Sequence, residues 1–250
     1  MWEYSINLKE DNLELANIIS NSLSSTIKSF EGVVTSHEEN GFISVLVGVD
    51  EKYTDAVRSI IASCITEVIC TKFKWNFLDK RLYLPEHDKI GMLAFKKALL
   101  NFDKETDKFI VKKNLDLNKD LFLESFKLQT LKNKWEELIT LSNENREYLI
   151  SSDSFIDLLK FLVDNLDICE EEISIVKENE GYKIYTEDEK QYLNKVFSED
   201  LIVSSVIDLS PQKINLYCEE SSRAITLLER LFEERIVVNK LNLKCIHYHK

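Results

Sequence analysis

Apolar residues recur along this chain with two periods, and the switches between them mark its elements. Tyr4, Ile6 and Leu8 alternate with polar neighbours, the signature of a strand with one buried face. Leu15, Ile18, Ile19 and Leu23 then fall at three-and-four spacing, which predicts a helix begun at Asp11 or Asn12 and running through Leu23. Two strands, Ser29–Glu38 and Phe42–Val49, flank Glu39-Asn40-Gly41, a hairpin loop whose Asn and Gly tolerate positive φ. A long helix from about Lys52 carries Val57, Ile60, Ile61, Cys64, Ile65, Val68 and Ile69 as its stripe. The order β-α-β-β-α over residues 1–84 predicts an α+β fold opening with a ferredoxin-like unit, a small sheet backed by helices.

The middle of the chain, residues 85–167, reads as helical. Phe73, Trp75, Phe77, Leu78 and Leu82 continue the preceding helix as far as Leu84-Pro85, where proline marks a boundary. Further helices are expected over about Asp88–Phe102, Asp120–Thr140 and Asn143–Leu149, with another starting at Asp153 or Ser154. Residues 168–250 return to mixed structure as a second α+β unit. Ile173–Lys177 and Tyr182–Thr186 form a hairpin across Glu178-Asn179-Glu180-Gly181. Ser198 is placed to cap a helix whose first turn holds Glu199 and Asp200, and whose stripe is Leu201, Ile202, Val206 and Leu209. Pro211 ends that helix, and Ile214, Leu216 and Cys218 then alternate as a strand. A helix over Ser221–Ile236 and a last strand within Val238–Tyr248 complete the pattern.

The acidic helix start, the aliphatic run, the S-P-Q-K-I turn and the strand after it, Ser198–Cys218, resemble the C-terminal block of the YtxC-like family, sporulation proteins of endospore-forming Firmicutes. The flanking Phe155–Asp167, Ile173–Lys177 and Gly181–Thr186, and downstream Ala224–Ile236, agree with it. The resemblance covers roughly the last two fifths of the chain. It implies a part in spore formation played through binding to an unknown protein partner; the family's biochemical role is unassigned, so it implies no mechanism.

Composition narrows the possibilities. With 250 residues, 44% hydrophobic and 30% charged, the chain can bury a sizeable core in one or two domains. Its formal net charge of −12 argues against a broad nucleic-acid or anionic-membrane footprint. Residues 88–166 hold 13 basic and 14 acidic residues, and that mixture reads as solvated helix faces. Nucleic-acid binding on the first sheet is further disfavoured because neither Ile43, Val45 and Val47 nor Phe42, Ser44, Leu46 and Gly48 include an Arg or Lys. Met1–Ile6 leads into Lys9, Glu10 and Asp11 without an apolar core region, so no secretory leader, no membrane span and a cytoplasmic location are expected. Cys64, Cys70, Cys169, Cys218 and Cys245 are widely spaced without a CxxC pair and read as buried, small apolar residues.

Candidate chemistry is sparse. Cys245, His247 and His249 would share one face of an extended tail, about 6–7 Å between alternate residues, and could hold zinc with a further ligand such as Cys218. The alternative is a frayed terminus. Glu170–Glu172 and Glu187–Glu189 sit at strand ends, where consecutive carboxylates point apart and read as solvated. His37 and His87 are lone histidines. No GxSxG elbow, glycine-rich phosphate loop, HExxH or DxDxDG is present, so no catalytic residue and no cofactor is expected. Phe73, Trp75 and Phe77 are the candidate partner surface if their rings face solvent, and core if they do not. Two functions are carried forward: a non-catalytic protein-binding scaffold, and a small-molecule-sensing module built on the first sheet.

Overall fold

The computed structural model describes residues 1–82, 89–144, 152–178, 181–186, 190–218 and 221–239. The fold is α+β, with two four-stranded mixed sheets. The chain forms two compact units, Met1–Leu82 with Asp103–Asn143, and Tyr83–Phe102 with Glu144–Lys250. Residues 85–167 are therefore not a segment apart: each unit takes helices from that stretch into its own core.

In the first unit, β1 (Trp2–Lys9) leads through a helical turn into α1 (Leu13–Ile27). The hairpin strands β2 (Val33–Glu39) and β3 (Phe42–Val49) follow, closed by Asn40 and Gly41 at φ 52° and 79°. The expected strand from Ser29 begins only at Val33, because Lys28–Phe30 is helical and Glu31 turns left-handed at φ 56°. Helix α2 (Thr54–Val68) runs through a wide turn at Ile69–Phe73 into α3 (Lys74–Arg81). That turn keeps the apolar stripe in phase. Residues four apart advance about 40° per step on a regular helix, so Val57, Ile61, Ile65 and Ile69 would lead the next two members off the core. The wide turn resets the phase, and Phe73 and Phe77 stay 3% and 5% exposed.

Helix α4 (Lys89–Asn101) belongs to the second unit, and the chain returns to the first with α5 (Lys104–Asn114). The mixed-charge stretch around Lys104–Lys113, read as a solvated helix face, is a helix whose Asp107 is nevertheless buried. The single helix expected over Asp120–Thr140 is instead β4 (Leu121–Phe122), α6 (Leu123–Thr130) and α7 (Lys132–Glu144). The first sheet has the order β2-β3-β1-β4; β3 is antiparallel to β2 and β1, while β4 runs parallel to β1 through Ile6 and Asn7 alone. Tyr4, Ile6, Leu8, Ile43, Val45, Val47 and Val49 are buried on one face of that sheet. Burying an aliphatic side chain of this kind contributes about 1.5–3 kcal/mol.

The second unit holds α4, α8 (Ser152–Asp164), the hairpin β5 (Glu170–Glu178) and β6 (Gly181–Thr186), α9 (Glu199–Leu209), β7 (Pro211–Tyr217), α10 (Arg223–Phe232) and β8 (Ile236–Asn239). Its sheet order is β6-β5-β7-β8, with β5, β7 and β8 parallel and joined by helical crossovers. The Ser198–Cys218 unit is a buried corner, as its pattern predicts: Ile202, Val203, Val206, Ile207, Ile214 and Leu216 are at most 1% exposed. Two details differ. Leu201 is exposed, and the Ser198 side chain makes no cap hydrogen bond; its carbonyl accepts from the amides of Leu201 and Ile202. The Glu199 carboxylate instead accepts from the amide of Ala224 at 3.3 Å, so the acidic first turn of α9 holds the start of α10.

Candidate functional site

Of the residues singled out from sequence, Cys245, His247, His249, His87 and Glu187–Glu189 lie outside the described residues. Among the described residues no group of three His, Cys, Asp or Glu is placed to hold a metal ion. Phe73, Trp75 and Phe77 do not form a surface. Phe73 and Phe77 are four apart and turn inward, each with a cation over its ring, Lys127 at 4.7 Å and Arg81 at 4.0 Å; Trp75, off that line, is half-buried. Of the described cysteines, Cys70 is buried as expected, whereas Cys64 and Cys218 are half-buried and Cys169 is exposed. His37 lies 3.6 Å from Glu39 on exposed β2.

Two arrangements remain that sequence patterns did not single out. The first is a buried charge cluster. Lys74, which the wide turn before α3 points inward, sets its Nζ 2.9 Å from Asp107 Oδ2 on α5, with both side chains at most 1% exposed. Trp135 donates its Nε1–H to the same oxygen at 3.1 Å, and Lys134 Nζ lies 2.8 Å from Oδ1. Burial pushes the Lys74 ammonium below its ordinary pKa, and the adjacent Asp107 charge pushes it back up. Burial, with Asp107 nearby, also pushes the Cys70 thiol up to about 12, so it stays protonated and unreactive. A cluster so enclosed ties α3, α5 and α7 together and presents nothing to a substrate.

The second is the outer face of the first sheet. Here side chains of β1, β2 and β3 that point away from the helices stand in rows set by the register. Val33 and Glu3 flank Gly48, and Thr35 and Ser5 flank Leu46. His37 and Asn7 flank Ser44; Asn7 Oδ1 accepts from Ser44 Oγ at 2.6 Å and from Ser5 Oγ at 3.1 Å. Phe42 and Phe122 close this end edge-to-face, with ring centroids 6.0 Å apart. At the other end, the missing side chain of Gly48 leaves a depression, and a Cβ built there meets nothing within 4 Å. The resulting cleft has a volume of about 480 Å³, within the range of small-ligand sites.

Apolar and acidic groups share this cleft. Val33 and Leu46 supply an exposed apolar floor, while Glu31, Asp50 and Asp120 join Glu3 around it. All four carboxylates are exposed. The amino group of Met1 also lines the cleft and is already paired with Glu51 at 3.1 Å. Tyr4 stands on β1 beside the cleft, but its side chain, 4% exposed, turns to the buried face with Ile6 and Leu8, where its hydroxyl has no hydrogen-bond partner. Desolvation, then the charges of Asp120 and Asp116, hold that phenol protonated far above its ordinary range. The outward face of the second sheet is different in kind. Its lysines are neutralised in place, Lys213 by Glu172 at 3.0 Å and Lys183 by Glu178 at 2.8 Å.

The alternation of β1 and β3 gave the two faces of the sheet from sequence, with no Arg or Lys on β3; on the outer face Lys9 of β1 stands beside Phe42. The cleft was not visible, because Glu3, Val33, Gly48 and Asp120 meet only through strand pairing. Among the described residues no helix is long and apolar enough to cross a membrane. Compared with known proteins, the chain matches no family model, no curated protein and no solved structure.

Proposed function

We propose that this chain is a binding protein without catalysis of its own, and that its N-terminal unit receives a small ligand on the outer face of the β1-β3 sheet. The cleft over Gly48 carries this reading: a depression with an apolar floor on a sheet face otherwise turned to solvent. Its ionisable side chains support binding over catalysis. They are exposed carboxylates, which lack the burial that tunes an acid or base.

Gly48 lies in regular strand, so a β-branched residue fits the backbone there and fills the depression. In a thermal-shift screen of metabolites on the full chain, a ligand of the cleft is expected to raise Tm by on the order of 5 °C at a hundredfold excess over Kd. The Gly48→Val variant should fold normally and lose that shift. A ligand that stabilises both proteins alike places the site elsewhere. A role in spore formation belongs to this proposal on the strength of the YtxC-like resemblance of Ser198–Cys218 alone. Transcript and protein should then appear in sporulating cells, and steady expression through vegetative growth would remove that part of the reading.

A further inference from the structure

We infer that this chain pairs with a second copy of itself through the free edge of β2, joining two first sheets into one about a two-fold axis at Ser36. The inference concerns assembly and does not rest on the cleft. A sheet edge takes up further strands unless it is short, covered, bulged or guarded by lysine or proline. Among the described residues, β4 has two residues, β8 has four, and β6 is covered by the bridges Tyr182–Phe197 and Tyr185–Gln191. In contrast, β2 has seven residues, six of them exposed, in unbroken register with β3 and without a lysine or proline.

The turn decides which groups of that edge are free. The two-residue loop Asn40-Gly41 makes Glu39 and Phe42 a hydrogen-bonded pair, so His37, Thr35 and Val33 also bond β3. The amides and carbonyls of Val34, Ser36 and Glu38 then point outward, where no other described segment bonds them. An antiparallel copy must centre on one of these three. Centred on Ser36, all of Val33–Glu39 overlaps and about six hydrogen bonds form, with Val34 opposite the other copy's Glu38 and Val33 opposite its Glu39. Centred on Val34, only Val33–Thr35 overlaps; centred on Glu38, two Glu38 carboxylates are set against each other.

Charge favours a second copy as the occupant. A chain of net charge −12 repels its own kind over most of its surface, and this seam is where the repulsion lapses. Val33–Ser36 is uncharged, and α1, which packs against β2, carries no charged residue from Leu15 to Ile27 although Asn17, Asn21, Ser22, Ser25 and Thr26 are exposed. The solvent face of a helix ordinarily carries charges. A neutral one flanking an open strand lets two copies close without opposing like charges.

A seam of this size is expected to be weak, so sedimentation velocity of the full chain should show monomer passing to dimer between about 1 µM and 1 mM. Ser36→Pro removes an outward donor while sparing the bonds to β3, and should abolish the dimer with far-UV circular dichroism unchanged. Ser36→Glu and Ser36→Lys each place like charges opposite each other on the axis and should weaken dimerisation about fivefold. An equimolar mixture of those two should recover it, because a strand paired with itself at Ser36 sets the glutamate against the lysine. Both are substitutions at an exposed position, so they decide the matter even where Ser36→Pro fails to fold. A chain that stays monomeric to the top of that range overturns the inference and leaves the edge to an extended segment of a different protein. A dimer that survives in a folded Ser36→Pro, or that mixing the charged variants does not restore, overturns the pairing about Ser36.

Discussion

Asp107 is the side chain on which the interior of the first unit most depends. It is wholly buried and receives Lys74, Lys134 and the Trp135 indole N–H together. The two ends of the Lys74–Asp107 pair are therefore unequal. Asp107→Ala strands a buried ammonium and a buried indole donor, and should cost about 3–5 kcal/mol. Lys74→Met leaves Asp107 with two donors and should cost less, about 1–3 kcal/mol. Urea unfolding of the two variants checks this order, and an equal or reversed ranking would mean that Lys74, not Asp107, organises the cluster. Nothing in the sequence marks the pair. Lys74 and Asp107 are 33 positions apart, and both sit in stretches rich in charge, where the ordinary expectation is a solvated residue.

Individual elements were legible where one period held without interruption. Phe42–Val49 and the Asn40-Gly41 turn follow directly from alternation and turn chemistry, as does the helix-proline-strand corner of α9 and β7. Errors fell where a local pattern was overridden by packing. The helix expected over Asp120–Thr140 breaks because Leu121 and Phe122 pair with β1, and the Glu124 carboxylate accepts from the amide of Lys9 at 2.9 Å and from Asn12 Nδ2 at 2.8 Å. Those bonds fix the end of β1 from 115 residues away. The wide turn at Ile69–Phe73 had no signal of its own, yet it decides that Phe73 and Phe77 are core and that Lys74 reaches Asp107.

At the scale of the whole molecule the chain does not divide at one linker. The first unit is completed by Asp103–Asn143, after the chain has given α4 to the second unit. Within the second, Phe95 of α4 packs on Phe155 at 5.7 Å, and Lys97 and Asn101 both bind Asp208 on α9. Residues 1–84 alone would expose Phe73, Lys74 and Phe77, whose partners Lys127, Asp107 and Trp135 all lie downstream. This fragment should show helical far-UV circular dichroism but no cooperative melting, in contrast with the full chain. A sharp transition from residues 1–84 would make α5, α6 and α7 dispensable to that core.

Sequence by itself determined the periods, and through them the strands, most helices, the two faces of the first sheet and the acidic balance of the chain. These depend on neighbours within a few residues, where the spacing of side chains follows directly from backbone geometry. The tertiary structure alone decided the interleaving of the two units, the burial of Lys74 with Asp107, and the cleft that gathers Glu3, Val33, Gly48 and Asp120. Each of those depends on which distant segments pair, and the free energy of such pairing comes from surface removed from water jointly by residues that carry no record of one another in the local pattern.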